Sequence, residues 1–227
     1  MTHSKKQLPG KAGPHQLAPR RQAIRGGALI TKFLALGLAG LLLASSLGWS
    51  QEAPPFQEPK TGVAFPGSLG PLKLMGVKRY QPAGLGLSVG YMAPGPMKAD
   101  IYLYDADLKN LGTGLGSPQV HSQFGMAKEE IFMMGQRGHY RSVQLLTEDK
   151  ADLATPAVPL PMLRAVFTYS QAPQSGDGQE IPRVSYLLVT AYRDSFLKIR
   201  FTFPESQKEQ GEQALKQFLA ELGQNLK

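Results

Sequence analysis

The chain has 227 residues, no cysteine, and 25 basic against 17 acidic side chains, which gives a formal net charge of +8. Seven of the basic residues and none of the acidic ones lie in the first fifty positions. The remainder is therefore close to neutral and lacks the broad basic character of a nucleic-acid-binding protein. The absence of cysteine excludes disulfides, thiolate metal sites, a cysteine nucleophile and a lipid-modified N-terminal cysteine. About 170 residues follow this basic segment, enough for one domain with its own core.

The first fifty residues have the pattern of an export signal. An uncharged apolar run covers Phe33–Leu47, which suits a signal-peptide core of roughly 7–15 residues better than a membrane span of about 20. Gly48 and Ser50 supply small side chains for cleavage before Gln51. Residues 1–50 are therefore predicted to be a signal peptide or, if uncut, a membrane anchor whose basic end stays in the cytoplasm.

The export route stays open at this point. Arg20 and Arg21 resemble a degraded twin-arginine signal, while an ordinary Sec signal or a start codon assigned too far upstream are the alternatives. In each case we expect the protein to be periplasmic or secreted. The other possibility is a protein anchored in the inner membrane with its domain outside the cytoplasm.

The exported part begins with a Pro-rich polar segment, residues 51–62, predicted to be a linker, and continues as a single domain over residues 63–227. Its first half predicts short strands separated by Gly and Pro, with a hairpin loop at Ala93–Pro96. In the third strand, Ile101 and Leu103 alternate with Tyr102 and Tyr104. The predicted strands are Leu74–Tyr80, Leu85–Met92 and Ala99–Tyr104.

A helix is predicted to follow, with Ser117 as N-cap, Pro118 at its first position and Gly135 just past its end. Its buried stripe is expected to be Val120, Phe124, Ala127, Ile131 and Met134. Four more strands are expected, with a turn at Ser175–Gly178: Tyr140–Leu146, Met162–Ser170, Arg183–Tyr192 and Phe196–Phe203.

A C-terminal helix then starts at a capping box formed by Ser206 and Glu209. The whole pattern predicts an α+β fold, a mostly antiparallel sheet with one inserted helix and one C-terminal helix.

This order of elements resembles that of small exported bacterial proteins with a PsbP-like α/β/α sandwich. The resemblance covers residues 76–226, including the opening segment RYQPAGLGLSVGYMAPGPMKADIYLYDAD and the closing strand, proline and helix in FLKIRFTFPESQKEQGEQALKQFLAEL. It implies a binding or accessory module rather than an enzyme. No functional residue is carried over, because the resemblance rests on layout and not on a motif.

One motif suggests an enzyme instead. Residues 86–90 match the G-x-S-x-G nucleophile elbow, with Ser88 as the nucleophile and His121 or His139 as a base. The elbow requires a strand, a tight turn and a helix, whereas this motif lies within a strand pattern. An exported serine hydrolase using Ser88 is therefore the alternative to a non-enzymatic binding module, and a membrane-anchored structural component of the envelope is a third possibility.

The remaining glycine and histidine motifs do not indicate a cofactor or a metal. Gly112, Gly114 and Gly116 precede the first helix, but their spacing differs from that of a dinucleotide-binding loop, so turns are expected. His121 lies too far along its helix from Glu129 and Glu130 to form a compact metal site. We therefore predict no catalytic, cofactor-binding or metal-binding residues.

The candidate binding surface is a set of aromatic and basic side chains on the predicted strands. Strand alternation could place several of them on one sheet face, where rings and guanidinium groups suit an anionic partner. The alternative is an ordinary sheet face covered by a helix. The partner is expected to be an unknown protein or a small anionic ligand in the envelope, with no nucleic acid and with membrane contact only through the N-terminal segment. The candidate residues are Tyr102, Tyr104, Arg193, Lys198 and Arg200.

If the leader is cleaved, N-terminal sequencing of protein recovered from the cell envelope should give a start at or near Gln51. Retention of the preceding residues would indicate an anchor. A reporter fused after Lys227 that stays in the cytosol would contradict export altogether.

Overall fold

The computed structural model describes residues 54–171 and 179–226, all within one compact unit that spans residues 46–227. The leader, the turn predicted at Ser175–Gly178, and Lys227 lie outside the described residues. No helix within the described residues is both long and apolar enough to cross a membrane.

Ten strands and two α-helices are described. The strands are β1 (Phe56–Gln57), β2 (Ala64–Phe65), β3 (Ser68–Leu69), β4 (Leu72–Arg79), β5 (Leu87–Met92), β6 (Lys98–Tyr104), β7 (Tyr140–Leu153), β8 (Leu160–Gln171), β9 (Ile181–Tyr192) and β10 (Ser195–Pro204). Helix α1 (Pro118–Gln136) lies between β6 and β7, and helix α2 (Lys208–Gln224) follows β10. The α+β class and the two predicted helices are confirmed.

Eight of these strands form one antiparallel sheet in the order β3-β4-β5-β6-β10-β9-β8-β7, while β1 pairs with β2. The side chains of a strand point alternately to the two faces of a sheet. In β10, Leu197, Ile199 and Phe201 therefore face one way and Lys198 and Arg200 the other, as the alternation predicted.

The face beneath α2 is buried along almost the whole sheet. Phe218 and Leu222 of α2 pack in one apolar cluster with residues from β4, β5, β6, β8, β9 and β10. Val89, Ile101 and Ile199 in this cluster are fully buried. Burial of this face is the main source of stability, because each fully buried large apolar side chain contributes about 1.5–3 kcal/mol.

The opposite face is covered only in part. Helix α1 packs on β7, β8 and β9. Its stripe of Val120, Phe124, Ala127 and Ile131 joins a second apolar cluster. Both faces of β8 and β9 are thus buried between two helices, which is the layout expected of the α/β/α sandwich.

The end of α1 differs from the prediction. The helix continues past Gly135 to Gln136, and the residue with positive φ is Gly138, at +76°. The amide of His139 donates to the carbonyl of Met134 (3.0 Å) and that of Gly138 to Gly135 (3.0 Å), which is the Schellman arrangement. The sequence pattern does not distinguish Gly135 from Gly138, because both follow the apolar stripe closely.

The predicted side-chain caps are absent. Ser117 does stand at the N-cap of α1, but its hydroxyl donates to Gln119 instead of receiving a helix amide. The capping box of Ser206 and Glu209 does not form, because a 3₁₀ turn over Glu205–Gln207 precedes α2 and makes Gln207 the N-cap.

Two boundaries also differ. Strand β7 extends to Leu153, beyond the predicted end at Leu146, since the long partner strand β8 pairs with it to that point. Part of the segment predicted as a linker packs on the domain: β1 pairs with β2, and Glu58 and Thr61 are buried.

Two helical glycines provide a matched test of how α2 packs against the rest of the domain. A Cβ added at Gly223 in α2 would lie 1.8 Å from the carbonyl oxygen of Ala154, whereas one added at Gly125 in α1 would meet nothing within 4 Å. Gly223→Ala should lower the free energy of unfolding by about 1–3 kcal/mol through overpacking. Gly125→Ala should raise it by about 1 kcal/mol through helix propensity. Denaturant unfolding measures both, and a stabilising Gly223→Ala would contradict the contact between α2 and the segment after β7.

Candidate functional site

The part of the sheet that α1 leaves uncovered presents nine side-chain positions in three rows. The rows run across β4, β5 and β6 in antiparallel register, with a bulge in β4 at the exposed Met75, between Leu74 and Gly76. None of the nine residues is buried, whereas most of their strand neighbours on the α2 side are buried and Val77 is partly buried. We call this grid the open face; its rows are Lys78–Ser88–Tyr102, Gly76–Gly90–Asp100 and Lys73–Met92–Lys98.

The middle row of the open face is a shallow strip of bare backbone. Gly76 and Gly90 pair directly across β4 and β5. A Cβ at Gly76 would meet nothing within 4 Å, and one at Gly90 would meet only Asp100, at 3.8 Å. The strip is therefore accessible to a partner that approaches the backbone closely.

The open face carries more positive than negative charge. It contains three lysines and one carboxylate, and the Nζ of Lys98 lies 3.9 Å from Asp100. The Nζ of Lys78 lies 5.2 Å from the ring centroid of Tyr80, a cation–π distance. Tyr80 also holds Ser88, since the two hydroxyl oxygens are 2.9 Å apart.

Beside the open face, toward the hairpin between β5 and β6, lies a second polar group on the α1 side of the sheet. The guanidinium of Arg200 lies 5.4 Å from the ring centroid of Tyr140 and 5.8 Å from that of Tyr169. Its Nε donates to Ser185 (3.3 Å), and the hydroxyl of Ser185 lies 2.9 Å from that of Thr202. Together with Lys98 and Arg183, these residues are called the arginine–tyrosine cluster.

The electrostatics of this cluster favour negative charge. Burial alone would raise the pKa of Tyr169, but the positive charges of Arg200 and Lys98 and a hydrogen bond from Thr202 outweigh burial and lower this pKa. Tyr140 stacks on Tyr169, with ring centroids 4.0 Å apart. Its pKa is raised to about 12 by burial, which the charge of Arg200 only partly offsets.

The structure brings together four of the five candidate residues. Tyr102, Tyr104, Lys198 and Arg200 all project from the α1 side of β6 and β10. Arg193 does not join them. It lies in the turn between β9 and β10, where its guanidinium donates to the carbonyl of Thr61 (2.8 Å).

The four grouped residues differ in access. Tyr104 is covered by packing against Phe196, with ring centroids 5.3 Å apart, and burial raises the pKa of its phenol well above the usual value. Lys198 lies at the boundary between α1 and the open face, because its Nζ is 3.3 Å from Glu130 of α1 and 4.7 Å from the ring centroid of Tyr102. Tyr102 therefore marks where the covered part of the sheet ends.

The hydrolase hypothesis for Ser88 is wrong. Ser88 lies inside β5, which leads through a hairpin to β6 and not into a helix. The strand–turn–helix geometry that exposes a nucleophile beside an oxyanion hole is therefore missing. His121 is exposed on α1, and His139 is exposed in the connection to β7.

The glycine-rich segment before α1 bends and pairs with the end of β9, through an isolated bridge between Gly114 and Ala191. The amide of Gly114 donates to Ala191 (2.8 Å), and the amide of Gly112 donates to the carboxylate of Asp194 (2.7 Å). Both amides are used within the fold. No cluster of three potential metal ligands occurs among the residues that the structure describes.

A cavity of about 200 Å³ lies near the end of β6. Most charged groups in its wall have polar partners in the protein: Lys60 contacts Asp105 at 2.6 Å, and Glu58 accepts hydrogen bonds from Thr61 at 2.6 and 2.7 Å. The guanidinium of Arg79 lies 5.3 Å from the ring centroid of Phe56. This internal pairing makes the cavity a weaker candidate than the open face.

Sequence reasoning missed several residues of the site. Lys78 and Gly90 belong to predicted strands, while Lys73 lies just before the predicted start of its strand at Leu74. Their common face depends on the register between strands, which no single strand pattern contains. Tyr169 and Arg183 have the correct strand parity to share a face, and that parity was the available indication.

Comparisons with known proteins find a similarity in the path of the backbone only. No protein-family profile and no curated protein matches this chain. The solution structure of CyanoP, the cyanobacterial PsbP of Synechocystis, is 12% identical over 79% of this chain and 96% of its own, with a TM-score of 0.45. PA94, a Pseudomonas aeruginosa protein of unknown function, is 10% identical over 73% of this chain and 92% of its own, with a TM-score of 0.30. Neither value decides a family or a function.

The lowered pKa of Tyr169 can be tested by spectrophotometric titration of the tyrosines. One tyrosine should ionise below the usual value of about 10 in the native protein, and this ionisation should be absent in Tyr169→Phe. Arg200→Gln should raise the pKa of Tyr169, because it removes the nearest positive charge. Arg141→Gln is the control, since Arg141 neighbours Tyr140 but pairs with Glu180 at 2.7 Å.

The direction of the pKa shift of Tyr169 determines how the stability of the protein changes with pH. A phenol whose pKa is lower in the folded than in the unfolded state stabilises the fold fully above the unfolded pKa of about 10. This contribution is lost as the pH falls through the folded pKa. The difference in unfolding free energy between the native protein and Tyr169→Phe should therefore grow with pH across that window; a constant difference would contradict the shift.

Proposed function

We propose that this chain is an exported, non-enzymatic binding module, and that the open face docks against an acidic surface of a partner protein. The observation that carries the proposal is the uneven cover of the sheet. The α2 face is largely buried from β4 to β9, whereas α1 covers only part of the other face. The uncovered remainder presents lysines and bare backbone to solvent.

The shape of the open face favours a protein partner. Small-molecule sites are typically concave and bury most of the ligand, whereas this grid is a flat part of a sheet with a shallow strip over Gly76 and Gly90. A flat surface with exposed charges at its edges and an exposed apolar side chain suits contact with another protein surface. Met92, 42% exposed, is that apolar side chain.

The charge of the open face favours an acidic partner. Its lysines lie at the ends of the outer rows, on both sides of the glycine strip. An acidic surface would meet positive charge on either side of this strip, which gives electrostatic complementarity and faster association. The expected export of the chain favours a partner in the envelope. This expectation rests on the leader predicted from the sequence.

A pair of charge-reversal variants tests the proposal. Lys78→Glu changes the open face, and Lys216→Glu makes the same change on an exposed position of α2. With full-length protein as bait in native envelopes, a specific partner should be captured by the native chain and by Lys216→Glu. Its capture by Lys78→Glu should be about tenfold weaker, since reversing one interfacial charge costs on the order of 1.4 kcal/mol.

The captured protein should also be released by raised salt, because the proposed contact is electrostatic. Equal capture by all three baits, or capture that salt leaves unchanged, would contradict docking on the open face. Far-ultraviolet circular dichroism of both variants, compared with that of the native chain, shows whether the two substitutions leave the fold intact.

A further inference from the structure

The arginine–tyrosine cluster contains a buried cationic atom without a partner. Arg183 is 8% exposed, and its Nη1 donates to the carbonyl of Pro96 (2.8 Å). Its Nε is buried and has no hydrogen-bond partner among the described residues. An unsatisfied buried donor on a charged group is costly, and native proteins rarely leave one empty.

Arg200 and Lys98 are two more cations near the phenol of Tyr169, the residue that pairs with Arg183 across β8 and β9. Arg183 projects from β9 on the same face as Ser185, which receives the hydrogen bond from Arg200. The carbonyl that Arg183 contacts belongs to the hairpin loop just before Lys98. The ring of Tyr169 lies 5.8 Å from Arg200, and the charge of Lys98 also acts on its phenol.

The described residues do not balance this positive charge. Asp100 is the carboxylate that faces the cluster, and it lies 3.9 Å from Lys98. The nearest acid on α1, Glu130, pairs with Lys198, and Glu180 pairs with Arg141 on β7. Three cations against one carboxylate leave two unmatched positive charges in a half-buried setting, which is unfavourable unless an anion is present.

From this geometry we propose that the arginine–tyrosine cluster binds a small doubly charged oxyanion of the phosphate type, with Arg183 Nε as a principal donor. Guanidinium groups match the oxygens of phosphate in planar, bidentate contacts. The hydroxyl of Tyr169 adds a neutral donor. A dianion would balance the two unmatched charges, whereas a carboxylate would balance one.

The anion would reach the cluster from the open face. Arg183, Tyr140 and Tyr169 are buried, but the side chain of Lys98 is 32% exposed and Arg200 is half-buried. The site does not rest on the proposed function, because it can be filled by a free anion without any partner protein.

Isothermal titration of the full chain with inorganic phosphate tests the site directly. The native protein should bind one phosphate. Arg183→Met and Lys98→Gln should each weaken binding by about tenfold or more, and Lys216→Gln on the opposite side of the molecule should leave it unchanged. Methyl phosphate tests whether a phosphomonoester is accepted as well as free phosphate, and acetate should bind more weakly than either.

Two further measurements keep the result decisive if a variant folds poorly. Phosphate should raise the pKa of Tyr169 in the native protein, because a bound dianion opposes the phenolate. In phosphate-free buffer Arg183→Met should not lower thermal stability, since it removes an unmatched charge, and phosphate should stabilise it less than the native protein.

Absence of phosphate binding, or equal binding by all variants, would overturn the site. Ionisation of Tyr169 at neutral pH in phosphate-free buffer would overturn it too, because the phenolate would then supply the missing negative charge.

Discussion

Burial of both faces of β8 and β9 is the constraint on which the rest of the structure depends. Each of these two strands sends alternate side chains into two separate apolar clusters, one beneath each helix. The two helices therefore share β8 and β9 as a common support, and the other strands extend the sheet on either side. If one of these strands slipped by one residue, each of its side chains would turn to the opposite face of the sheet and both apolar clusters would be exposed. The register of these strands is therefore strongly fixed.

The open face follows from the position of α1. One helix covers only two or three strands of a sheet, since a helix with its side chains is about 10–12 Å across and neighbouring strands are about 4.8 Å apart. Because α1 lies over β7, β8 and β9, the strands β4, β5 and β6 keep an uncovered face. Polar side chains occupy that face, and the boundary between covered and open sheet is where Lys198 and Arg200 lie.

Much of the fold could be predicted from local pattern. The alternation of Ile101 and Leu103 with their tyrosine neighbours, and the stripe from Val120 to Ile131, each indicated the correct face of its element. Helix ends were less predictable, because Gly135 and Gly138 are both plausible stops and only hydrogen bonds distinguish them. The candidate site was predictable only in part: strand parity grouped Tyr102 with Lys198 and Arg200, whereas the pairing of Gly76 with Gly90 and the approach of Arg183 to Tyr169 depend on long-range register.

The central proposal is that the open face is the contact surface of the domain and that the domain works outside the cytoplasm. Site-specific photo-crosslinking in cells tests it most directly, with a photoreactive amino acid at Met92 in one strain and at Lys216 on α2 in another. The account predicts a crosslink from position 92 to an acidic protein of the envelope, and no such product from position 216. No product from position 92, or the same product from both positions, would contradict it.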